Sequence, residues 1–276
     1  MDLFFQDSIS TLKLCTWLFV VGQILSSIEF YHLIFSGSYS ANGYCPWNII
    51  SLEKPIIYNH SWIDRLFRLV YSNLGQKILI VLQLLFLVSL AIMPVKSLAY
   101  TVSVFALLFF HFLMHFRNPY GGEGSDQMSI IVLVGLCIGA SSFSTETMSL
   151  YAILFIALQS MLSYLSAGMA KLFSNKWRRG VAVYEIFNTG SYGHKDFALA
   201  ISKNHKLGFF LSWSVIVMEC AFPFALLFPS PIVLFAFLAW GIVFHFFNAI
   251  IMGLNAFFWI FLSTYPCLIY LFFKLH

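Results

Sequence analysis

Residues 148–171 read MSLYAILFIALQSMLSYLSAGMAK, an apolar run with no charged side chain before its final lysine. Since about 20 apolar residues span the hydrocarbon core of a bilayer, this run predicts a membrane helix. Small and polar side chains recur along it every four residues, on one helical face: Gln159, Ser163, Ala167 and Lys171. The sequence therefore predicts a helix whose polar stripe faces neighbouring helices and ends at an amine.

The composition of the whole chain agrees with a membrane protein. Of its 276 residues, 60% are hydrophobic and 9% are charged. A soluble domain of this length would carry far more Asp, Glu, Lys and Arg on its surface, so a water-soluble enzyme with a large core is excluded. The net charge of +4 is small, and the basic residues lie in short segments between apolar runs. No nucleic-acid partner is expected, whereas the lipid bilayer is.

Seven further apolar runs predict an all-α fold, a polytopic membrane helix bundle. The eight predicted transmembrane helices cover about residues 13–35, 77–93, 98–116, 129–143, 148–171, 208–228, 231–252 and 254–273. In the polar connection 36–76, aromatic and apolar residues are mixed with Arg65 and Arg68, which predicts an interfacial amphipathic helix. Residues 1–276 are therefore expected to form a single integral membrane domain, with no soluble domain.

The distribution of positive charge bears on the orientation of the chain in the membrane. Most Lys and Arg residues lie in the connections that follow the first, third and fifth predicted helices. The positive-inside rule would place these connections in the cytoplasm and both termini outside. Because much of this charge lies in amphipathic interfacial segments, the rule is a weaker guide here, and the side of the membrane on which Lys171 lies stays open.

Ionisable side chains within the predicted membrane helices are candidates for chemistry. A charge at membrane depth costs about 2.5–3.5 kcal/mol on insertion scales, so it needs a partner or a function. The candidates are Glu29, His111, His115, Lys171, Glu219 and His245. Considered alone, Lys171 fits a lysine whose amine reaches the lipid headgroups better than it fits a base. His111 and His115 are one turn apart, but no further ligand cluster accompanies them, so no metal site is predicted.

A second group of polar residues lies downstream. His245 and Asn248 are one turn apart on the same face of an otherwise apolar helix, and Glu219 lies in the preceding helix. Two interpretations remain open for these side chains. They form hydrogen bonds that hold helices together, or they transfer protons at a shared site.

Two blocks of this sequence resemble a known family. Residues 167–172 read AGMAKL and are followed by Trp177, and residues 244–248 read FHFFN and are followed by Tyr265-Pro266. These blocks look like the A-G-x-x-K-L…W and F-H-x-x-N blocks of the horizontally transferred transmembrane domain family. The best-known member of that family is the vitamin K-dependent gamma-glutamyl carboxylase.

The resemblance implies a catalytic set of Lys171, His245, Glu219 and Asn248, with Lys171 as a membrane-embedded base. It also allows a hydroquinone co-substrate, which the lysine would deprotonate. Several departures matter: the carboxylase has a lysine at the position of Ala170, a histidine that finds no match in residues 117–128, and a large extramembrane domain that binds its substrate. Quinol-linked carboxylation of glutamate is therefore not carried over to this chain.

The glycine-rich segment 121–126 makes the chain similar to bacterial membrane subunits that mature secreted peptide toxins of the sporulation-delaying type. This similarity implies a peptide substrate, a partner maturation protein and the inner membrane of a bacterial cell. The expected function is then that of an integral membrane enzyme that modifies or matures a small or peptide substrate. The alternative is a non-enzymatic membrane protein: a transporter, an immunity protein or an assembly factor in a peptide toxin system.

Overall fold

The computed structural model describes residues 7–39, 43, 46–54, 61–117 and 124–276. Within these ranges the chain forms helices and turns, and no β-strand occurs. Cys45 and residues 118–123, which hold half of the glycine-rich segment, lie outside the described residues.

Thirteen α-helices follow one another in the described part of the chain. They are α1 (Ser8–Phe35), α2 (Trp47–Ile50), α3 (Ser61–Val70), α4 (Asn73–Ile92), α5 (Leu98–Arg117), α6 (Gly124–Gly139), α7 (Glu146–Phe173), α8 (Asn175–Arg178), α9 (Val181–Phe187), α10 (Lys195–Lys203), α11 (His205–Ala221), α12 (Pro231–Met252) and α13 (Asn255–Leu275). Short 3-10 segments occupy Ser51–Glu53 and Phe222–Leu226.

Seven of these elements are long and apolar enough to cross a membrane: α1, α4, α5, α7, α11 with its 3-10 extension, α12 and α13. The eighth predicted transmembrane segment is α6, an apolar helix of only 16 residues. At 1.5 Å per residue it is about 24 Å long, which is less than the thickness of the hydrocarbon core. The prediction of an all-α polytopic membrane bundle is confirmed.

Several helix ends differ from the predicted ones, and two of these differences have a clear local reason. The first helix begins at Ser8 rather than near residue 13, because the Asp7 carboxylate caps it by accepting hydrogen bonds from the backbone N–H groups of Ile9 (3.2 Å) and Ser10 (3.0 Å). The sixth predicted helix was expected to reach residue 228, but α11 ends at Ala221. Pro223 lacks a backbone N–H, so the chain continues only as the 3-10 segment.

Helix α13 forms the centre of the bundle. Of its membrane-spanning window 61% is buried, whereas the other six spans are 22–39% buried. It packs most extensively along α1 and also contacts α6, α7 and α12. Polar contacts join it to α7, where Thr264 and Ser160 form a buried hydrogen bond of 2.9 Å.

Helices α7 and α11 touch through their backbones. A Cβ atom on Gly168 would lie 2.7 Å from the backbone nitrogen of Cys220 and 2.9 Å from the carbonyl carbon of Glu219, so only glycine fits there. Gly168 is adjacent to Ala167 but does not belong to the predicted stripe, so a residue outside the stripe makes this close approach. It brings positions 171 and 219 side by side.

The short helices α8, α9 and α10 form a layer at the end of the bundle where α7 stops. Their apolar residues make a small core of their own, formed by Val183, Phe187, Ala198 and Ile201. This layer also contacts α11. Near the other polar connection, α3 is the predicted amphipathic helix, with Asp64 and Arg68 paired at 2.7 Å and Trp62 exposed.

The contact at Gly168 can be tested by adding one methyl group. We expect Gly168→Ala to lower the free energy of unfolding by about 1–3 kcal/mol, because the added carbon overpacks the contact between α7 and α11. Alanine is a better helix former than glycine, so helix propensity alone would raise the free energy of unfolding. Thermal unfolding in detergent would measure the change. Gly190→Ala is the control, because a Cβ there meets no atom within 4 Å. A Gly168→Ala protein as stable as wild type would contradict the close contact.

Candidate functional site

A cavity of about 470 Å³ lies between α7, α11, α12 and α13, beneath the layer of short helices. All four predicted site residues line it: Lys171, Glu219, His245 and Asn248. The rest of the lining is mostly aromatic and aliphatic, and includes Trp177, Phe187, Trp240, Phe244, Phe257 and Phe261. Pockets of this size and character, apolar with a few convergent polar groups, are typical of small-molecule sites.

Lys171 and Glu219 form an ion pair in the cavity wall. The Lys171 Nζ atom donates to both carboxylate oxygens of Glu219, at 2.9 Å to Oε1 and 2.6 Å to Oε2. The two side chains are 20% and 5% exposed. The ammonium group also lies 5.3 Å from the centre of the Trp177 ring, within range of a cation–π interaction. The amine is therefore paired within the protein.

The predicted polar stripe on α7 forms part of one wall of the cavity. Ser163, Ala167 and Lys171 all line it, while Gln159 lies further along the helix, outside the lining. Small side chains at positions 163 and 167 leave the space that the cavity occupies. Lys171 then places its amine at the end of that space.

A chain of three hydrogen-bonding side chains forms the inner part of the site. The Nε2 atom of His245 lies 2.8 Å from the hydroxyl of Tyr164, which lies 3.1 Å from the hydroxyl of Tyr265. All three residues are buried. Gly241 makes room for the chain, because a Cβ atom there would collide with the Tyr265 hydroxyl.

The imidazole ring of His245 is fixed by packing as well. It stacks on Phe261 at 4.6 Å between centroids with an interplanar angle of 16°, and Phe244 meets it edge-on at 5.0 Å. Its second nitrogen, Nδ1, is buried and has no hydrogen-bond partner in the part of the chain that the structure describes.

Asn248 lies one turn beyond His245 on the same helix. Its backbone carbonyl closes the end of α12 by accepting from the N–H groups of Gly253 and Leu254. Gly253 adopts the left-handed conformation, with φ of 72°, that ends helices in this way. The side-chain amide takes no part in this cap and is available in the cavity.

The remaining ionisable candidates lie outside the cavity. The Oε1 atom of Glu29 accepts a hydrogen bond of 2.7 Å from Asn255. The two ring nitrogens of His111 lie 3.1 Å from Gln23 Oε1 and 3.0 Å from the carbonyl oxygen of Leu107. Across the described ranges, no group of three His, Cys, Asp or Glu residues could hold a metal ion, so His111 and His115 remain without further ligands.

The sequence analysis did not single out Tyr164. A signal was available, because Tyr164 precedes Lys171 by seven residues and so lies two turns back on the same helical face. Tyr265 appeared only within the family block. Its hydrogen bond to Tyr164 depends on how α7 and α13 meet, which helical periodicity does not specify.

Comparison of the chain with protein-family models, with curated proteins and with solved structures returns no match. The functional interpretation of the cavity is therefore based on its geometry and chemistry. The resemblance of the two sequence blocks to the horizontally transferred transmembrane domain family stays a prediction.

Removing one member of the ion pair should destabilise the protein more than removing both. We expect Lys171→Met to cost about 3–5 kcal/mol, because it leaves the Glu219 carboxylate buried without its partner. Adding Glu219→Leu to this variant should recover most of that loss, because neither buried charge remains. Thermal unfolding of both variants in the same detergent measures the difference. If the double variant is less stable than Lys171→Met alone, the ion pair is less desolvated than its burial indicates.

Proposed function

We propose that this protein is an integral membrane enzyme that removes a proton from an apolar substrate held in the cavity, with Lys171 as the base. The observation that carries the proposal is the buried pair of Lys171 and Glu219 in the wall of a largely apolar cavity. A base in such a site works without competition from bulk water. An apolar lining selects a substrate that partitions into the membrane.

Glu219 gives Lys171 a way to become a base. In the ion pair the amine holds the proton, and the contact of 2.6 Å lets the proton pass to the carboxylate. This transfer produces a neutral amine and a neutral acid, and apolar surroundings favour neutral groups over charged ones. The amine then takes a proton from the substrate and becomes an ammonium again. That ammonium stabilises the substrate anion that remains, and Glu219 still holds the first proton.

His245 and Asn248 serve to orient the substrate in this proposal. Both line the same cavity as the ion pair. The Asn248 amide offers a donor and an acceptor to a bound molecule. The Tyr164 hydroxyl, which also contacts the Tyr265 hydroxyl, holds the imidazole in place.

The family resemblance supports the same assignment of Lys171 and adds a candidate co-substrate. A hydroquinone fits the residues present, because aromatic side chains such as Phe261 line the cavity and Trp177 lies 5.3 Å from the amine. When bound, a hydroquinone would supply the acidic O–H group on which a lysine base acts. Within the toxin-maturation branch, the substrate would be a peptide handled with a partner protein at a bacterial inner membrane.

A non-enzymatic role is the second candidate, and one observation favours it. The ion pair joins α7 and α11 where their backbones touch, so it also acts as a lock between two helices. A transporter, an immunity protein or an assembly factor would need only that lock. The two candidates differ in whether Lys171 must lose its proton.

Lys171→Arg separates these roles, because arginine keeps the positive charge and can pair with Glu219 but stays protonated. Cells that make the wild-type protein should contain a reaction product, and cells that make this variant should contain at least about 100-fold less of it. This factor is the typical contribution of a general base. Untargeted mass spectrometry of lipid and peptide extracts measures it. Lys176→Arg is the control, since Lys176 is exposed and pairs with Glu185 at 2.9 Å. A product that Lys171→Arg forms at the wild-type level contradicts the base. Solute uptake by vesicles that persists in Lys171→Arg would instead support the non-enzymatic role.

A further inference from the structure

The cavity is open on one side, along α12. Among the described residues that line it, the exposed ones are Trp240, Val243 and Phe247, which are 41%, 65% and 37% exposed. They follow one another at intervals of three and four residues, so they lie on one face of α12. The lining residues on α7, α11, α13 and the short helices are buried or half-buried. The opening therefore lies beside this face of α12.

The opening is a gap between α11 and α12, because these two helices pack against different partners. Helix α11 lies against α7 at the Gly168 contact, and α12 packs along α13. The two helices touch each other at few points, although they follow one another in the chain. The side chains that α11 contributes to the cavity wall include Ser214 and Val215. These small side chains leave the gap unfilled.

Aromatic contacts bound the gap at both ends. Towards the layer of short helices, the Phe247 ring lies 5.7 Å from the Phe197 ring, between centroids. At the other end, Phe222 follows α11 and meets Phe237 of α12 edge-on at 6.3 Å.

The opening lies at the depth of the bilayer core. Trp240 and Val243 are at the middle of α12, a span of 22 residues that is long and apolar enough to cross a membrane. Because the ends of such a span reach the two interfaces, its middle lies in the hydrocarbon region. The gap therefore opens to lipid tails.

The polar groups of the cavity lie behind this opening. Glu219 and His245 are buried, and Lys171 is half-buried in its ion pair. The exposed residues at the opening, by contrast, are aromatic or aliphatic. A molecule that comes from the bilayer therefore passes an apolar rim before it reaches a charged pair.

We infer that the substrate enters the cavity sideways from the bilayer, through the gap between α11 and α12. It is an amphiphile. Its polar end, which carries the acidic hydrogen, meets Lys171, and its hydrocarbon tail stays in the gap beside Trp240 and Val243. The inference rests on the proposed function for the role of Lys171, whereas the route depends on the gap alone.

A tail in the gap keeps surroundings much like those in the bilayer. Apolar side chains lie on one side of it and lipid tails on the other, and lipid tails are as apolar as leucine side chains. Entry therefore transfers only the polar end from one environment to another. The ion pair and the Asn248 amide are then the groups that distinguish one substrate from another, because the tail gains little on binding.

A photoreactive amphiphile tests where the tail lies. The probe is 4-dodecylphenol with a diazirine at the middle of its alkyl chain, so it carries an acidic O–H group and a hydrocarbon tail. The wild-type protein is irradiated with it in lipid nanodiscs, and peptide mass spectrometry locates the labels. We expect labels that an excess of unmodified 4-dodecylphenol displaces, at residues 211–218 and 240–247. Displaceable labels on α9 and α10 instead, or no displaceable label, overturn the lateral entrance.

Val243→Trp should obstruct the gap with a larger side chain. We expect displaceable labelling to fall by at least about five-fold, the factor that overpacking at a contact typically produces. Ile242→Trp is the control, because Ile242 is the neighbouring exposed residue on α12 but does not line the cavity. It should be labelled as wild type is. Labelling of Val243→Trp at the wild-type level contradicts the entrance.

Lys171→Arg separates this inference from the base assignment, because it keeps the charged pair and leaves the gap unchanged. We expect it to retain the displaceable labels while it loses the reaction product. Product loss in this variant, with no displaceable label in the wild-type gap, would refute the entrance and leave the base in place. Labels in the gap together with an unchanged product level would refute the base and leave the entrance in place.

Discussion

The ion pair between Lys171 and Glu219 is the interaction on which the arrangement of the site depends. It exists because α7 and α11 approach until their backbones touch, and Gly168 is the residue that permits this approach. A larger side chain at that position would separate the helices and leave two charged groups buried without partners. The cost of that state is high in an apolar interior, so helix contact and charge pairing stabilise each other.

The site shows how a lipid-embedded protein can keep charge without exposing it. Outside the cavity, many polar side chains are bonded to other helices or to the carbonyls of their own helix, as in the contact of Gln23 with Ser129. Such bonds hold the bundle together. Some buried polar atoms away from the cavity, such as Nδ1 of His115, have no partner among the described residues. The cavity is distinguished instead by the charged pair of Lys171 and Glu219 in an otherwise mostly apolar wall.

Much of the fold could be predicted from the sequence, because each membrane helix is encoded by a long local run. The predicted bounds of α12 agree with the observed ones, since Pro231 favours a helix start and Gly253 a helix end. The four residues that the sequence predicts as a site all line one cavity. Their partners were harder to predict. The pairing of Lys171 with Glu219 and the contacts among Tyr164, Tyr265 and His245 depend on which helices meet, and hydropathy carries no information about that.

The central position of α13 has a consequence for biogenesis. Ribosomes deliver membrane helices in chain order, and α13 follows every helix that it packs against. Until it inserts, α1, α6 and α7 have no central neighbour, and the hydroxyls of Ser160 and Tyr164 lack their contacts with Thr264 and Tyr265. The cavity therefore takes its final shape only when α13, which follows α7, α11 and α12 in the chain, fills the centre of the bundle.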